Sequence, residues 1–179
     1  MDRQVVVVTG PESSGKSQLC KDLSKALQVP TVPEYARIYL ESVGPDYDYN
    51  SLREIYAGHI LYQAKALEEN RSPLIILDTD SINFIIWSIR AFNRVPTEAM
   101  EQLKRESHYR YLICKPDLEW EEDPLRENPH DRVEIMSEHQ QLIQDLNRPH
   151  AFVEGQKKER LNNALDALQS ILPELSLSH

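Results

Sequence analysis

Eight consecutive residues near the N-terminus have the types and spacing of a phosphate-binding loop. Residues 10–17 read G-P-E-S-S-G-K-S, which matches G-x-x-x-x-G-K-[ST]. The glycines let the backbone curl so that its N–H groups point at a phosphate, and the following helix N-terminus adds favourable polarity. In this pattern Lys16 reaches the β- and γ-phosphates and the Ser17 hydroxyl ligates Mg²⁺. We therefore predict a nucleoside triphosphate site made by Gly10, Glu12, Ser13, Ser14, Gly15, Lys16, Ser17 and Gln18.

Two aspartates follow the apolar run P-L-I-I-L in the middle of the chain. Asp78 ends this run, and a carboxylate at such a strand end holds Mg²⁺ directly or through water. Asp80 has two equally good interpretations. It could contact the phosphoryl acceptor as a catalytic residue, or it could cap the helix that begins near residue 81, since aspartate is a good N-cap.

A glutamate and an arginine follow the short apolar stretch that precedes V-P-E-Y-A-R. Glu34 at a strand end beside the phosphate site could accept the proton of an attacking hydroxyl, as a general base does. Arg37, one helical turn on, could bind an anion or orient Glu34. The alternative is a solvated ion pair on the first turn of a helix, which stabilises that helix only slightly.

A long polar segment, residues 117–132, carries two more arginines. Arg126 and Arg132 suit a mobile lid that closes over the transferring phosphates, neutralises their charge and excludes water. The alternative is that both arginines offset the acidic residues 119–123. Among the aromatic residues near the expected strand ends, Tyr35, Trp87 and Trp120 are candidates to stack on the acceptor, although most aromatic residues at helical spacing are core.

Strand-like and helix-like patterns alternate along the chain. We predict strands at residues 5–9, 31–34, 73–78, 109–114 and 151–154, and helices at residues 17–27, 35–42, 52–70, 81–92, 97–106, 132–146 and 157–172. This order predicts an α/β fold with a five-stranded parallel sheet covered by helices on both faces. Ligands bind such sheets at the carboxyl ends of the strands, where all the candidate residues lie.

The composition narrows the function further. The 179 residues carry a net charge of −9, which argues against nucleic acid as a partner. Cys20 and Cys114 lie among apolar residues, as buried thiols in a reducing compartment do. No signal peptide or membrane span is evident, so we expect a single cytoplasmic domain over residues 1–179 with no membrane partner. The sequence favours neither a monomer nor an oligomer.

The strand-end residues also separate classes of phosphate-loop protein. A GTPase needs N-K-x-D and D-x-x-G, but Cys114 replaces the usual Asn and Asp78-Thr79-Asp80-Ser81 lacks the glycine. No second helical domain follows the core, which argues against a motor ATPase. These exclusions favour a small ATP-dependent kinase. A nucleotide-binding module that switches a partner protein is the alternative from another class.

The motifs G-P-E-S-S-G-K-S, V-P-E-Y-A-R, L-D-T-D and W…D-x-L-R…R together resemble the ribosylnicotinamide kinase domain of the NadR type. The resemblance runs in order and spacing from residue 5 to about residue 172. It implies a P-loop kinase that uses ATP and Mg²⁺ to phosphorylate the ribose 5′-hydroxyl of nicotinamide riboside; a kinase for another nucleoside or small hydroxyl metabolite is the alternative. It also implies that Lys16 and Ser17 hold phosphate and Mg²⁺, that Asp78 assists the metal or the acceptor, and that Arg126 and Arg132 belong to the lid.

The lid departs from the family pattern at one position. The family tends to have D-G-x-R, whereas this chain has Asp123-Pro124-Leu125-Arg126. Because proline fixes φ near −65° where glycine can adopt positive values, we expect the lid to approach the site differently. The chain also lacks the adenylylating and DNA-binding domains of multidomain relatives, so we expect neither activity.

Overall fold

A parallel sheet of five strands forms the centre of the protein. The computed structural model describes residues 3–173. Within them the strands are β1 (Gln4–Thr9), β2 (Thr31–Val32), β3 (Leu74–Asp78), β4 (Arg110–Cys114) and β5 (His150–Val153), in the spatial order β2-β3-β1-β4-β5. Every neighbouring pair is parallel, and Val7 of β1, for example, pairs with Leu77 of β3 and Tyr111 of β4. The predicted fold class is confirmed.

Within residues 3–173, six helices lie between the strands and a seventh follows β5. They are α1 (Lys16–Leu27), α2 (Tyr35–Val43), α3 (Tyr49–Glu69), α4 (Ser81–Phe92), α5 (Thr97–Arg105), α6 (Arg132–Asp145) and α7 (Lys157–Ile171). Most predicted boundaries agree within two residues. The start of α3 differs because Asp48 caps it, accepting a 2.8 Å hydrogen bond from the Ser51 backbone N–H. The strand β2 is shorter than predicted because Pro33 has no N–H to give the sheet and Glu34 is already the N-cap residue of α2.

The alternation of side chains along β1 divides the core into two layers. Val6 and Val8 face α1 and α7, whereas Val5 and Val7 face the side that carries α2 to α6. Because both faces are covered, every residue from Val5 to Val8 is buried, which explains the continuous apolar run. Cys20 and Cys114 are buried free thiols on the α1 and α7 side, as predicted.

Within residues 3–173, none of the helices combines the length and the apolar character needed to cross a bilayer.

Candidate active site

The phosphate-binding loop connects β1 to α1 at the carboxyl edge of the sheet. Gly10 has a φ of 128°, and a Cβ atom there would lie 2.7 Å from the Cys114 carbonyl oxygen, so only glycine fits. Gly15 precedes α1 with a φ of 75°. The Ser14 hydroxyl and the Lys16 ammonium each donate to the Pro11 carbonyl oxygen, at 2.7 and 2.8 Å. These bonds close the loop on itself and place the free N–H groups of the α1 N-terminus at the cavity.

A cavity of about 1030 Å³ runs from this loop towards α2, α4, α6 and the lid. Its volume is at the upper end of ordinary ligand pockets, enough for two small ligands end to end. The predicted residues that line it are Gly10, Glu12, Ser13, Ser14, Gly15, Lys16, Ser17, Gln18, Glu34, Arg37, Trp87 and Arg126. The structure therefore brings the phosphate loop and the V-P-E-Y-A-R motif to one site.

Glu34 occupies the wall of the cavity directly before α2. Its side chain caps no backbone group of that helix, so the carboxyl group remains available to a ligand. Removal from bulk water raises its pKa from 4.5 to about 7, and the negative charge of Asp78 adds to the rise, while Lys16 and Arg37 oppose it. A carboxyl group with such a pKa can both accept and release a proton near neutral pH.

Asp78 lies beneath the loop at the end of β3. Its side chain is 2% exposed, and its Oδ1 atom has no hydrogen-bond partner. Burial raises its pKa, whereas the Ser17 hydroxyl and the Lys16 charge lower it. A buried carboxylate oxygen without a partner, beside a serine hydroxyl, fits Mg²⁺, which prefers oxygen ligands. Ser17 and Asp78 are thus placed together, as the prediction of a metal site requires.

The predicted lid segment, residues 117–132, is held closed over the loop and α2. The carboxylate of Glu12 accepts hydrogen bonds from the backbone N–H groups of Glu127 and Asn128, at 3.1 and 2.8 Å. On the α2 side, Arg37 donates to Asp123 at 2.8 Å. The first contact joins the phosphate loop to the lid, and the second joins the acceptor-side motif to the lid.

The D-P-L-R departure forms a tight turn in the lid. The Arg126 N–H donates to the Asp123 carbonyl oxygen at 3.0 Å, and the Asp123 side chain accepts from the Leu125 N–H at 2.9 Å. Asp in the first position and Pro in the second suit a β-turn, so this lid uses a proline where glycine was expected. The turn places the Arg126 side chain at the cavity, where it donates to the Glu121 carbonyl oxygen at 2.5 Å.

Arg132 does not line the cavity, contrary to its predicted place over the phosphates. Its guanidinium donates to the carbonyl oxygens of Ser13 and Leu118, at 3.3 and 2.9 Å, and lies 5.9 Å from the centre of the Trp120 ring. Through these contacts Arg132 holds the lid against the phosphate loop. Trp120 lies beside this arginine and does not line the cavity.

Asp80 caps a helix and does not reach the cavity. The side chain is fully buried, its Oδ1 accepts from the Ile82 N–H at 3.0 Å, and its Oδ2 accepts from the Tyr111 hydroxyl at 2.6 Å. Arg148 in turn donates to the Tyr111 hydroxyl at 2.5 Å. With both oxygens engaged away from the cavity, the prediction of acceptor contact is wrong and the capping alternative is correct.

Tyr35 also points away from the cavity. Its ring packs on Gly58 of α3, where a Cβ atom would lie 2.4 Å from Cε1, and on the ring of Tyr62 at 5.8 Å between centroids. The residue therefore fixes α2 against α3 and is not placed to contact the acceptor. Trp87 does line the cavity, and its indole N–H donates to the Tyr47 hydroxyl at 2.7 Å.

Four polar residues, among others that line the cavity, were not predicted from the sequence and bear on the site. Tyr47, Asn83 and His139 line the cavity close to Trp87, and we call this part of it the acceptor end. Arg160 lies behind the phosphate loop, where it donates to the Ser14 carbonyl oxygen at 2.6 Å and to Asp117 at 2.8 Å. A signal for one of them was present. Asn83 lies four residues before Trp87 on α4, so the two occupy one face of the helix.

Comparison with known proteins places the chain in a family. The family described as AAA domain, AAA_28, matches residues 5–160. The chain belongs to this family. No curated protein matches this AAA-domain chain in sequence.

Solved structures share the fold of this AAA-domain protein. The NadR protein in complex with NR superposes with a TM-score of 0.73 at 19% identity, covering 99% of this chain and 51% of NadR, so this chain spans about half the length of that protein. Deoxyadenosine kinase from M. mycoides, with dCMP bound, gives 0.62 at 14% identity over 94% of this chain and 100% of the kinase. Thymidylate kinase from Ehrlichia chaffeensis gives 0.60 at 11% identity over 94% and 98%. The resemblance to the NadR type is confirmed for the fold.

Proposed function

We propose that this protein is an ATP-dependent kinase that phosphorylates the ribose 5′-hydroxyl of a nucleoside, with nicotinamide riboside as the leading acceptor. One observation carries this proposal. Glu34, whose pKa is raised to about 7, lies in the same continuous cavity as the phosphate-loop Lys16. A proton acceptor and a phosphate-binding loop in one enclosed space are the two parts that transfer to a hydroxyl needs.

Each residue then has one task in the transfer. Glu34 accepts the proton of the acceptor hydroxyl while that oxygen bonds to the γ-phosphorus and the bond from phosphorus to the β–γ bridging oxygen breaks. Lys16 exchanges its bond to the Pro11 carbonyl for the phosphate oxygens and neutralises charge there. Arg126 at the cavity wall does the same from the lid. The closed lid excludes water, which would otherwise take the phosphate.

Mg²⁺ would be held by the Ser17 hydroxyl and by Asp78, directly or through water. When bound, the ion neutralises charge on the β- and γ-phosphates. The unpartnered Oδ1 atom of Asp78 supports this assignment. We also propose that the protein acts in the cytoplasm, where ATP is available and where the free thiols of Cys20 and Cys114 would stay reduced.

The acceptor end of the cavity suits a nucleoside. Trp87 and Tyr47 line it, and aromatic rings of this kind pack against flat heterocycles. The solved NadR protein was crystallised with NR, which supports nicotinamide riboside as the first acceptor to test.

The test is ADP release from ATP and Mg²⁺ in the presence of single acceptors. The panel contains nicotinamide riboside, the common ribonucleosides and deoxyribonucleosides, and a sample without acceptor. We expect strong stimulation by nicotinamide riboside. Stimulation by a different nucleoside alone would support the kinase activity and identify that nucleoside as the acceptor. Release that is the same with every acceptor and without one would overturn the kinase assignment in favour of a switch module.

A further inference from the structure

A buried histidine fixes the orientation of a polar side chain at the acceptor end of the cavity. His139 lies on α6, is 1% exposed, and has its Nδ1 atom 2.7 Å from the carbonyl oxygen of Ile135. A carbonyl oxygen only accepts hydrogen bonds, so Nδ1 carries the hydrogen. Burial lowers the pKa of His139 to about 4, so the ring is neutral at physiological pH and its Nε2 atom is an acceptor.

This Nε2 atom faces the amide of Asn83. It lies 3.4 Å from the Oδ1 position of that side chain. Two acceptors cannot bond, whereas the amide nitrogen of asparagine donates two hydrogens and exchanges places with the oxygen on a half-turn of the amide. The stable arrangement therefore directs the Asn83 NH₂ group at His139. The amide oxygen is then left without a side-chain partner in the described residues, on a residue that lines the cavity together with His139.

The place of Asn83 on α4 decides which part of an acceptor it meets. Asn83 is in the first turn of α4, next to the strand end that carries Asp78, and Trp87 lies one turn further out on the same face. A nucleoside with its heterocycle against Trp87 and its 5′-hydroxyl towards the phosphate loop would have its sugar in between. The oxygen of Asn83 would therefore meet the sugar hydroxyls rather than the heterocycle.

We propose that the Asn83 side-chain oxygen accepts a hydrogen bond from the 2′- or the 3′-hydroxyl of the acceptor sugar, and that His139 is the positioning residue that keeps this oxygen directed at the sugar. The proposal rests on the kinase function proposed above and adds the residue that selects ribosides over deoxyribosides. An acceptor that lacks the hydroxyl would leave the partly buried amide oxygen unpaired, which is how polar sites reject analogues.

The experiment compares kcat/KM for nicotinamide riboside, or whichever riboside the panel identifies, with kcat/KM for its 2′-deoxy and 3′-deoxy forms. In the unaltered protein we expect the ratio of kcat/KM for the riboside to kcat/KM for one of its deoxy forms to be at least about ten. Asn83→Leu, which keeps the size and removes the acceptor, should reduce that ratio to about one. Asn162→Leu on the exposed side of α7 is the matched control and should leave the ratio unchanged.

His139→Phe tests the positioning role, because the asparagine amide then loses its anchor. The ratio should fall towards that of Asn83→Leu, whereas a merely structural role would lower kcat/KM for all three acceptors equally. Three results would overturn the proposal: no discrimination by the unaltered protein, an undiminished ratio in Asn83→Leu, or equal loss for all acceptors in His139→Phe. Each of them is seen only if ribosides are phosphorylated. Each is therefore distinct from failure of the kinase function, in which no acceptor stimulates ADP release.

Discussion

Replacing Glu34 by glutamine should slow the reaction and stabilise the protein at the same time. The carboxyl group is held in the cavity with a pKa of about 7, well above its ordinary 4.5, because its surroundings disfavour the charged form. The substitution removes the proton acceptor and also removes this unfavourable charge. The two effects have opposite signs, which separates a catalytic carboxylate from one that merely supports the fold.

The catalytic part follows from the role of a general base. Loss of such a base costs roughly 10²–10⁴-fold in kcat. In the unaltered protein only the ionised form accepts the proton, so kcat/KM should rise with pH through the pKa of about 7. The ionised fraction is about one-tenth at pH 6 and about nine-tenths at pH 8, which predicts a rise of roughly tenfold between them. This rise should be absent in Glu34→Gln.

The stability part follows from proton linkage. The folded protein binds the Glu34 proton more tightly than the unfolded chain, so the carboxyl group's contribution to stability is complete below pH 4.5 and is lost as pH rises through about 7. The loss at pH 8 is at most about 3 kcal/mol, and contact with water in the cavity reduces it. Glutamine should therefore raise the free energy of unfolding at pH 8 by about 1–3 kcal/mol, or Tm by several degrees.

Acceptor-dependent ADP release at several pH values and thermal unfolding at pH 5 and pH 8 measure both parts. Glu68→Gln on the exposed side of α3 is the matched control and should change neither. Turnover of Glu34→Gln within a few-fold of the unaltered protein would refute the role of base. If Glu34→Gln were both inactive and less stable at pH 8, the claim that the charge of Glu34 destabilises the folded protein would be refuted.

Three further substitutions test the loop and the lid. Lys16→Ala should lower kcat by orders of magnitude in steady-state kinetics while circular dichroism stays unchanged, because charge neutralisation dominates phosphoryl transfer; near-normal turnover would contradict this. Gly10→Ala should cost at least about 3 kcal/mol in urea unfolding, since its Cβ would lie 2.7 Å from the Cys114 carbonyl oxygen, and a stable variant would show that the loop adapts. Glu12→Ala frees the lid N–H groups, so ADP release without acceptor should increase relative to release with it; an unchanged ratio would exclude Glu12 as the lid contact.

Much of the fold was predictable because local patterns and packing agree. The apolar runs of β1 and β3 are buried on both faces, and Gly10 of the phosphate loop occupies a position that other residues could not. The residues of the loop could be named from their spacing because that site is made of consecutive backbone.

The acceptor side could be predicted only in part because it is assembled from distant segments. Spacing identified Glu34 and Trp87, which line the cavity. It could not show that Tyr35 packs on Gly58 or that Asp80 faces Tyr111. Both outcomes depend on which neighbour a side chain meets across the sheet or between helices. His139 could not be predicted from the sequence for the same reason, because its proposed role depends on a contact with Asn83, which lies on another helix.

The most direct test of the account is to follow a radioactive γ-phosphate from ATP in the presence of Mg²⁺ and nicotinamide riboside. We predict that the label appears on the riboside as its 5′-monophosphate, in equal amount to the ADP formed, and that Lys16→Ala abolishes the product. Label found only as inorganic phosphate, with or without the riboside or any other nucleoside, would contradict the central claim.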